Sequence, residues 1–238
     1  MRRKIQFAQH HFYHIYNRGV DKRKIFLDDV DYLRFLQGLK DFNDIKIIGS
    51  IYLKKTREKI NFRSLAPKVF RSEAPKNPKE PLVKILCYCL MSNHFHLLLE
   101  PLTENGISGF MQRLGTGYAN YFNLRYERTG GLFEGPFRAV LVERDSQLMH
   151  LLRYIHLNVL DLLEFNWREE GIKDWERAEE FLKNYRWSSH PVYLSESDSQ
   201  IIDKGIFSEL FSDRKSYQDF LKDWAVKDLP SLNGLSLE

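Results

Sequence analysis

The stretch Val83-Lys-Ile-Leu-Cys-Tyr-Cys-Leu-Met-Ser-Asn-His-Phe-His-Leu-Leu-Leu-Glu-Pro101 holds two apolar runs, Val83–Met91 and Phe95–Leu99, parted by Ser92-Asn93-His94. Runs of this length around a short polar break read as the two strands of a hairpin. Side chains alternate along a strand, so His94 and His96 share one face while Phe95 and Leu97 turn to the other. Two imidazoles so placed form a platform for a metal ion, and equally a pair that core or surface partners can satisfy. Cys87 and Cys89 are the only cysteines. Two apart in the first strand, they suit neither a disulfide framework nor a zinc set, and read as reduced packing residues.

Upstream, His11 to Val20 alternates Phe12, His14 and Tyr16 with Tyr13 and Ile15 and closes at Gly19, a strand pattern. Asp28 to Phe42 is predicted as a helix, with Val30, Leu33, Leu36 and Leu39 at helical spacing and acids at its N-terminus. Ile45 to Leu53 reads as a further strand. Lys54 to Pro81 carries four prolines among lysines and arginines and reads as a mobile basic loop. Downstream, Gly106 to Tyr126 is predicted as a helix with the stripe Phe110, Leu114, Tyr118, Tyr121 and Phe122, and Phe137 to Glu143 as a strand. Ser146 to Leu163 is predicted as a helix capped by Asp145 or Ser146.

The order strand, helix, strand, strand, helix, strand, helix predicts an α+β fold: a ferredoxin-like antiparallel sheet with helices on one face and one helix added. The expected core is 1–163, with the basic insertion at about 54–81. A helical C-terminal extension, 164–238, follows, with helices around Trp175 to Tyr185 and Arg214 to Trp224.

The 238 residues, 43% hydrophobic and 14% aromatic, exclude a disordered chain. No apolar run nears the roughly 18 residues of a membrane span, and the N-terminus lacks a signal-peptide apolar stretch. A cytoplasmic protein is expected. The net charge of +4 says less than its distribution. Lys54 to Lys84 holds ten basic residues against three acidic, whereas Asp161 to Tyr185 holds eight acidic against four basic. Polyanion contact thus belongs to the first two thirds, although either run alone also suits a solvated surface.

A third metal ligand would have to come from another element. In Arg153-Tyr154-Ile155-His156-Leu157-Asn158, Tyr154 and Asn158 are four apart and share one helix face. A helix after the last strand can pack beside the central strands, which would bring both to the imidazoles. Tyr154 also fits an ordinary amphipathic core tyrosine. At an ordinary phenol pKa near 10, forming a phenolate at pH 7 costs roughly 4 kcal/mol, which a positioned base or charge can offset.

Tyr88 to Pro101 resembles the HUH signature of single-tyrosine transposases. The run from Gly115-Thr116 through Asn158, together with His11 to Val20 and Tyr185-Arg-Trp-Ser-Ser189, is similar to their REP-associated tyrosine transposase branch. The resemblance spans about residues 10 to 190. It implies Tyr154 as nucleophile, His94, His96 and Asn158 as metal ligands, and magnesium or manganese as the ion. It further implies cleavage of single-stranded DNA beside palindromic hairpins through a 5′-phosphotyrosine intermediate, leaving a free 3′-hydroxyl. The chain departs from the branch in having Val159 where proline is common after the asparagine, and in its longer basic loop.

Asn17, Arg18, Arg138 and Arg153 flank this site and are the expected DNA contacts. A monomer or homodimer is expected. Two other readings stand beside this one: a domesticated hairpin-DNA-binding protein without useful cleavage, and a metal hydrolase sharing only the histidine pair.

Overall fold

The computed structural model describes residues 5–46, 80–163, 167–195 and 198–225. The expected basic loop at 54–81, apart from its last two residues, and nearly all of the expected strand at 45–53 lie outside them. Strands β1 (Phe12–Arg18), β2 (Val83–Met91), β3 (His94–Pro101) and β4 (Arg138–Val142) form one antiparallel sheet in the order β2-β3-β1-β4. This is the ferredoxin-like order, built because the hairpin β2–β3 sets its second strand beside β1. Ser92 and Asn93 make the turn, and the segment after β1 fastens it: Gly19 N donates to the Asn93 carbonyl, and Ile25 N and Phe26 N donate to that of Ser92.

Helices α1 (Asp29–Asp41) and α2 (Gly106–Arg125) cover one face of the sheet, where Phe35 of α1 meets Phe95 of β3 and Tyr118 of α2. Asp28 caps α1 through its side chain, which accepts from Val30 N and Asp31 N. The added helix α3 (Asp145–Leu157) takes the opposite face, where Tyr154 meets His96 and His14. Its cap is Arg144, one residue before the expected position. Gln147 Oε1 accepts from Glu143 N and Arg144 N and so satisfies the amides of the incoming chain. From Asn158 the chain tightens into a 3-10 turn that runs to Leu163.

A one-residue bulge between Ile85 and Cys87 sets Cys87 opposite Leu98 and Cys89 opposite His96, so both thiols lie on the α3 face. Both are free and buried. Burial raises both thiols far above the ordinary range, which leaves them inert packing groups.

Beyond the 3-10 turn lie α4 (Trp167–Glu170), α5 (Trp175–Asn184), α6 (His190–Tyr193), α7 (Phe207–Leu210) and α8 (Arg214–Ala225). This extension closes the open edge of β2. Leu90 N donates to the Trp187 carbonyl, Ser189 N to that of Tyr88, and Asp203 N to that of Ile85. The Tyr185 and Tyr193 hydroxyls donate to the carbonyls of Leu90 and Leu86. An edge that would otherwise pair with another chain is thereby used up.

A buried chain of hydrogen bonds also ties the extension to α3. Ser189 Oγ donates to the Tyr88 carbonyl, so His156 Nε2 donates to Ser189 Oγ (2.7 Å). His156 Nδ1 then accepts from the Tyr217 hydroxyl (2.9 Å), which accepts from His190 Nδ1 (2.8 Å).

Candidate metal and tyrosine site

His94 and His96 stand on the α3 face of β3, their rings 5.1 Å apart and nearly perpendicular. The Tyr154 ring lies 5.4 Å from that of His96, and Asn158 Oδ1 lies 3.3 Å from His94 Nε2. The helical four-residue spacing thus brings tyrosine and asparagine to the histidine pair. Tyr154 is 2% exposed.

The tautomer of His94 follows from its neighbours. Asn93 Nδ2 donates to the Lys22 carbonyl, which fixes the orientation of that amide, and its Oδ1 lies 2.6 Å from His94 Nδ1. Nδ1 is therefore the donor, and neutral His94 carries its lone pair on Nε2. Burial first of all pushes His94 down to about 4, with the Asn158 oxygen pulling the other way, so the ring is neutral at pH 7. A lone pair on Nε2 then faces a lone pair on Asn158 Oδ1. His96 Nε2 is buried and has no hydrogen-bond partner, and burial holds this ring neutral as well. His94 Nε2 and Asn158 Oδ1 are electron-pair donors with no proton between them, and His96 Nε2 would join them in the tautomer that leaves it bare, a set that fits a cation. Among the described residues no group of three or more His, Cys, Asp and Glu could hold a metal ion.

Three residues that the sequence did not single out join the site. His14 shares a 2.8 Å hydrogen bond with His96, Nε2 to Nδ1. Arg168, from α4, holds its guanidinium 5.7 Å from the centre of the Tyr154 ring. It is paired bidentately with Asp161 of the 3-10 turn, at 2.6 and 2.7 Å. His14 was visible as an alternating strand residue, but its partner depends on register between distant strands. Arg168 lies in the acid-rich segment and gave no signal.

Of the four expected DNA contacts, three gather at one place. Tyr16, Asn17, Arg18, Glu134, Gly135, Pro136 and Arg138 line a cleft of about 180 Å³. It adjoins the histidines, since Tyr16 and Arg18 pair with His96 and His94 across β1 and β3. Asn17 is spent on shaping it, donating to the Gly135 carbonyl and accepting from Arg18 N. Arg18 pairs with Glu134 at 2.8 and 3.2 Å. Arg153 lies elsewhere: its Nε donates to the Phe220 carbonyl and its guanidinium stacks on the Phe220 ring.

The sheet thus offers a histidine pair to a helix carrying tyrosine and asparagine. Residues 48–158 match the family model described as "Transposase IS200 like", a segment that contains His94, His96, Tyr154 and Asn158. Over that segment, a little under half of the chain, the sequence is similar to the IS200-like transposases. No curated protein sequence matches the chain. A solved structure titled "Structure of the REP associates tyrosine transposase bound to a REP hairpin" aligns with a TM-score of 0.48 and 10% identity, over 85% of this chain and 94% of that one. No described helix is long and apolar enough to cross a membrane.

Proposed function

We propose that this chain is a metal-dependent endonuclease and strand transferase of single-stranded DNA, acting through Tyr154 beside palindromic hairpins. One observation carries the reading: Tyr154 and Asn158, one helical turn apart, meet two histidines from a different part of the chain, with the lone pairs of His94 Nε2 and Asn158 Oδ1 turned to one another.

In the reaction, Tyr154 Oη attacks a backbone phosphorus and the bond from that phosphorus to the 3′-oxygen breaks. The phenol loses its proton and the departing 3′-oxygen gains one. The 5′-phosphotyrosine keeps the diester's energy, so another 3′-hydroxyl can reverse the step and join a new strand. His94 Nε2, His96 Nε2 and Asn158 Oδ1 would hold magnesium or manganese, which supplies charge neutralisation at the phosphoryl oxygens. Arg168 adds positive charge beside the tyrosine ring. The strand enters along the cleft lined by Asn17, Arg18 and Arg138, and Arg153, engaged by α8, is left out of this path.

The test is a covalent adduct. Full-length protein is incubated with manganese and a 3′-labelled single strand bearing a hairpin, then run on a denaturing gel. An adduct is expected, and it is absent in Tyr154→Phe. An adduct undiminished in that variant overturns the nucleophile. The burial of Tyr154 favours a second reading, hairpin binding without cleavage, whose expected result is tight binding with no adduct under magnesium or manganese.

A further inference from the structure

Both candidate histidine ligands must present a bare Nε2, and something must hold each ring in that state. A neutral imidazole has one N–H and one lone pair, so a proton acceptor placed at Nδ1 leaves Nε2 free. For His94 that acceptor is Asn93 Oδ1. For His96 the corresponding contact is made by another histidine, His14, on the neighbouring strand.

His14 sits opposite Leu98 in the β1–β3 register and Tyr16 sits opposite His96, which makes His14 the diagonal neighbour of His96 on the same face. The two rings are 5.1 Å apart, within 18° of parallel and fully buried. Their shared proton has two positions. With the proton on His14 Nε2, His96 accepts at Nδ1 and must carry its own hydrogen on Nε2, aimed into the site. With the proton on His96 Nδ1, His14 Nε2 accepts it, His14 carries its own hydrogen on Nδ1, a buried atom without a partner in either arrangement, and His96 Nε2 is bare, as a ligand must be. Only the second arrangement is compatible with a metal ion at His96.

We infer that His14 is a positioning residue for the metal: its Nε2 accepts the His96 Nδ1 proton and so presents the His96 Nε2 lone pair. This rests on the metal-dependent reading above. Partners of this kind, bonded to the far nitrogen of a ligating histidine, typically change metal affinity 10- to 100-fold when removed.

Two variants separate acceptance from packing. His14→Gln keeps an oxygen acceptor near the Nε2 position and loses the ring. His14→Phe keeps the ring and loses the acceptor. Mn²⁺ affinity is measured by calorimetry on the full chain, with a thermal melt of each variant. The expected order is wild type, then His14→Gln within a few-fold, then His14→Phe weaker by about tenfold or more. The reverse order, or equal affinity in all three, overturns the inference and leaves the wider reading intact. A wild-type chain that binds no Mn²⁺ overturns the site reading and this inference with it. Should His14→Phe fail to fold, nitrogen-15 NMR of the wild-type chain loaded with diamagnetic Zn²⁺ decides. Protonated Nδ1 on both His96 and His14 is expected, and a protonated Nε2 on either ring overturns the inference.

Discussion

Asn158 and His94 approach to 3.3 Å through an oxygen and a nitrogen that both offer electrons, an arrangement that gains nothing until positive charge arrives. Asn158→Ala removes one donor and is expected to weaken Mn²⁺ binding by at least about tenfold in calorimetry. Asn158→Asp places a full negative charge at the same position and is expected to strengthen it; weaker binding in the aspartate variant would remove Asn158 from the ligand set. This contact was legible in the sequence because alternation along a strand pairs His94 with His96, four-residue spacing along a helix pairs Tyr154 with Asn158, and the order of elements lets that helix pack beside the central strands. His14 was not, although it bonds to His96 directly. Its place depends on which residue of β1 faces which residue of β3, a non-local register that neither strand encodes alone. Arg153 shows the converse limit: it lies beside Tyr154 in sequence but points to Phe220 on α8.

At the scale of elements, α3 is fixed from both sides. One face brings Tyr154 to the sheet, and the other is held by His156, whose two ring nitrogens bond to Ser189 and Tyr217 of the extension. Tyr217→Phe breaks both bonds made by its hydroxyl and leaves two buried imidazole nitrogens unsatisfied. A loss of about 1–3 kcal/mol in urea unfolding is expected, and an unchanged midpoint would show that the chain of bonds contributes nothing. Gly106, at the start of α2, is under a different constraint: a Cβ there would lie 2.2 Å from the Leu82 carbonyl oxygen. Gly106→Ala therefore shifts backbone and is expected to cost about 1–3 kcal/mol in the same measurement. The sequence located every strand and long helix of the core among the described residues because their periodicities are strong. It ran α3 through to Leu163, whereas the α-helix stops at Leu157. Val159 lacks the ring that would end a helix, so the chain continues as a tighter 3-10 turn, which apolar periodicity does not distinguish.

Across the whole molecule, burial holds His14, His94, His96, His156 and His190 below the ordinary imidazole value, His94 at about 4 and His14 and His190 at about 3. The unfolded chain protonates these rings near pH 6.5, while the folded chain resists until lower pH. Their contribution is thus fully present above pH 6.5 and is lost as pH falls toward the folded values. The melting temperature is expected to fall continuously from pH 6.5 to about 4, and a flat profile over that range would contradict the assignment of neutral buried rings. The C-terminal extension matters at this scale too, because residues 185–193 and Asp203 occupy the edge of β2. A chain ended at Leu163 should leave that edge bare and elute from a sizing column as self-associated material. Translation passes through the same condition. The nascent chain can assemble its four strands well before the residues that seal β2 have left the ribosome. Each molecule therefore spends an interval of its synthesis with a sticky margin open to mispairing.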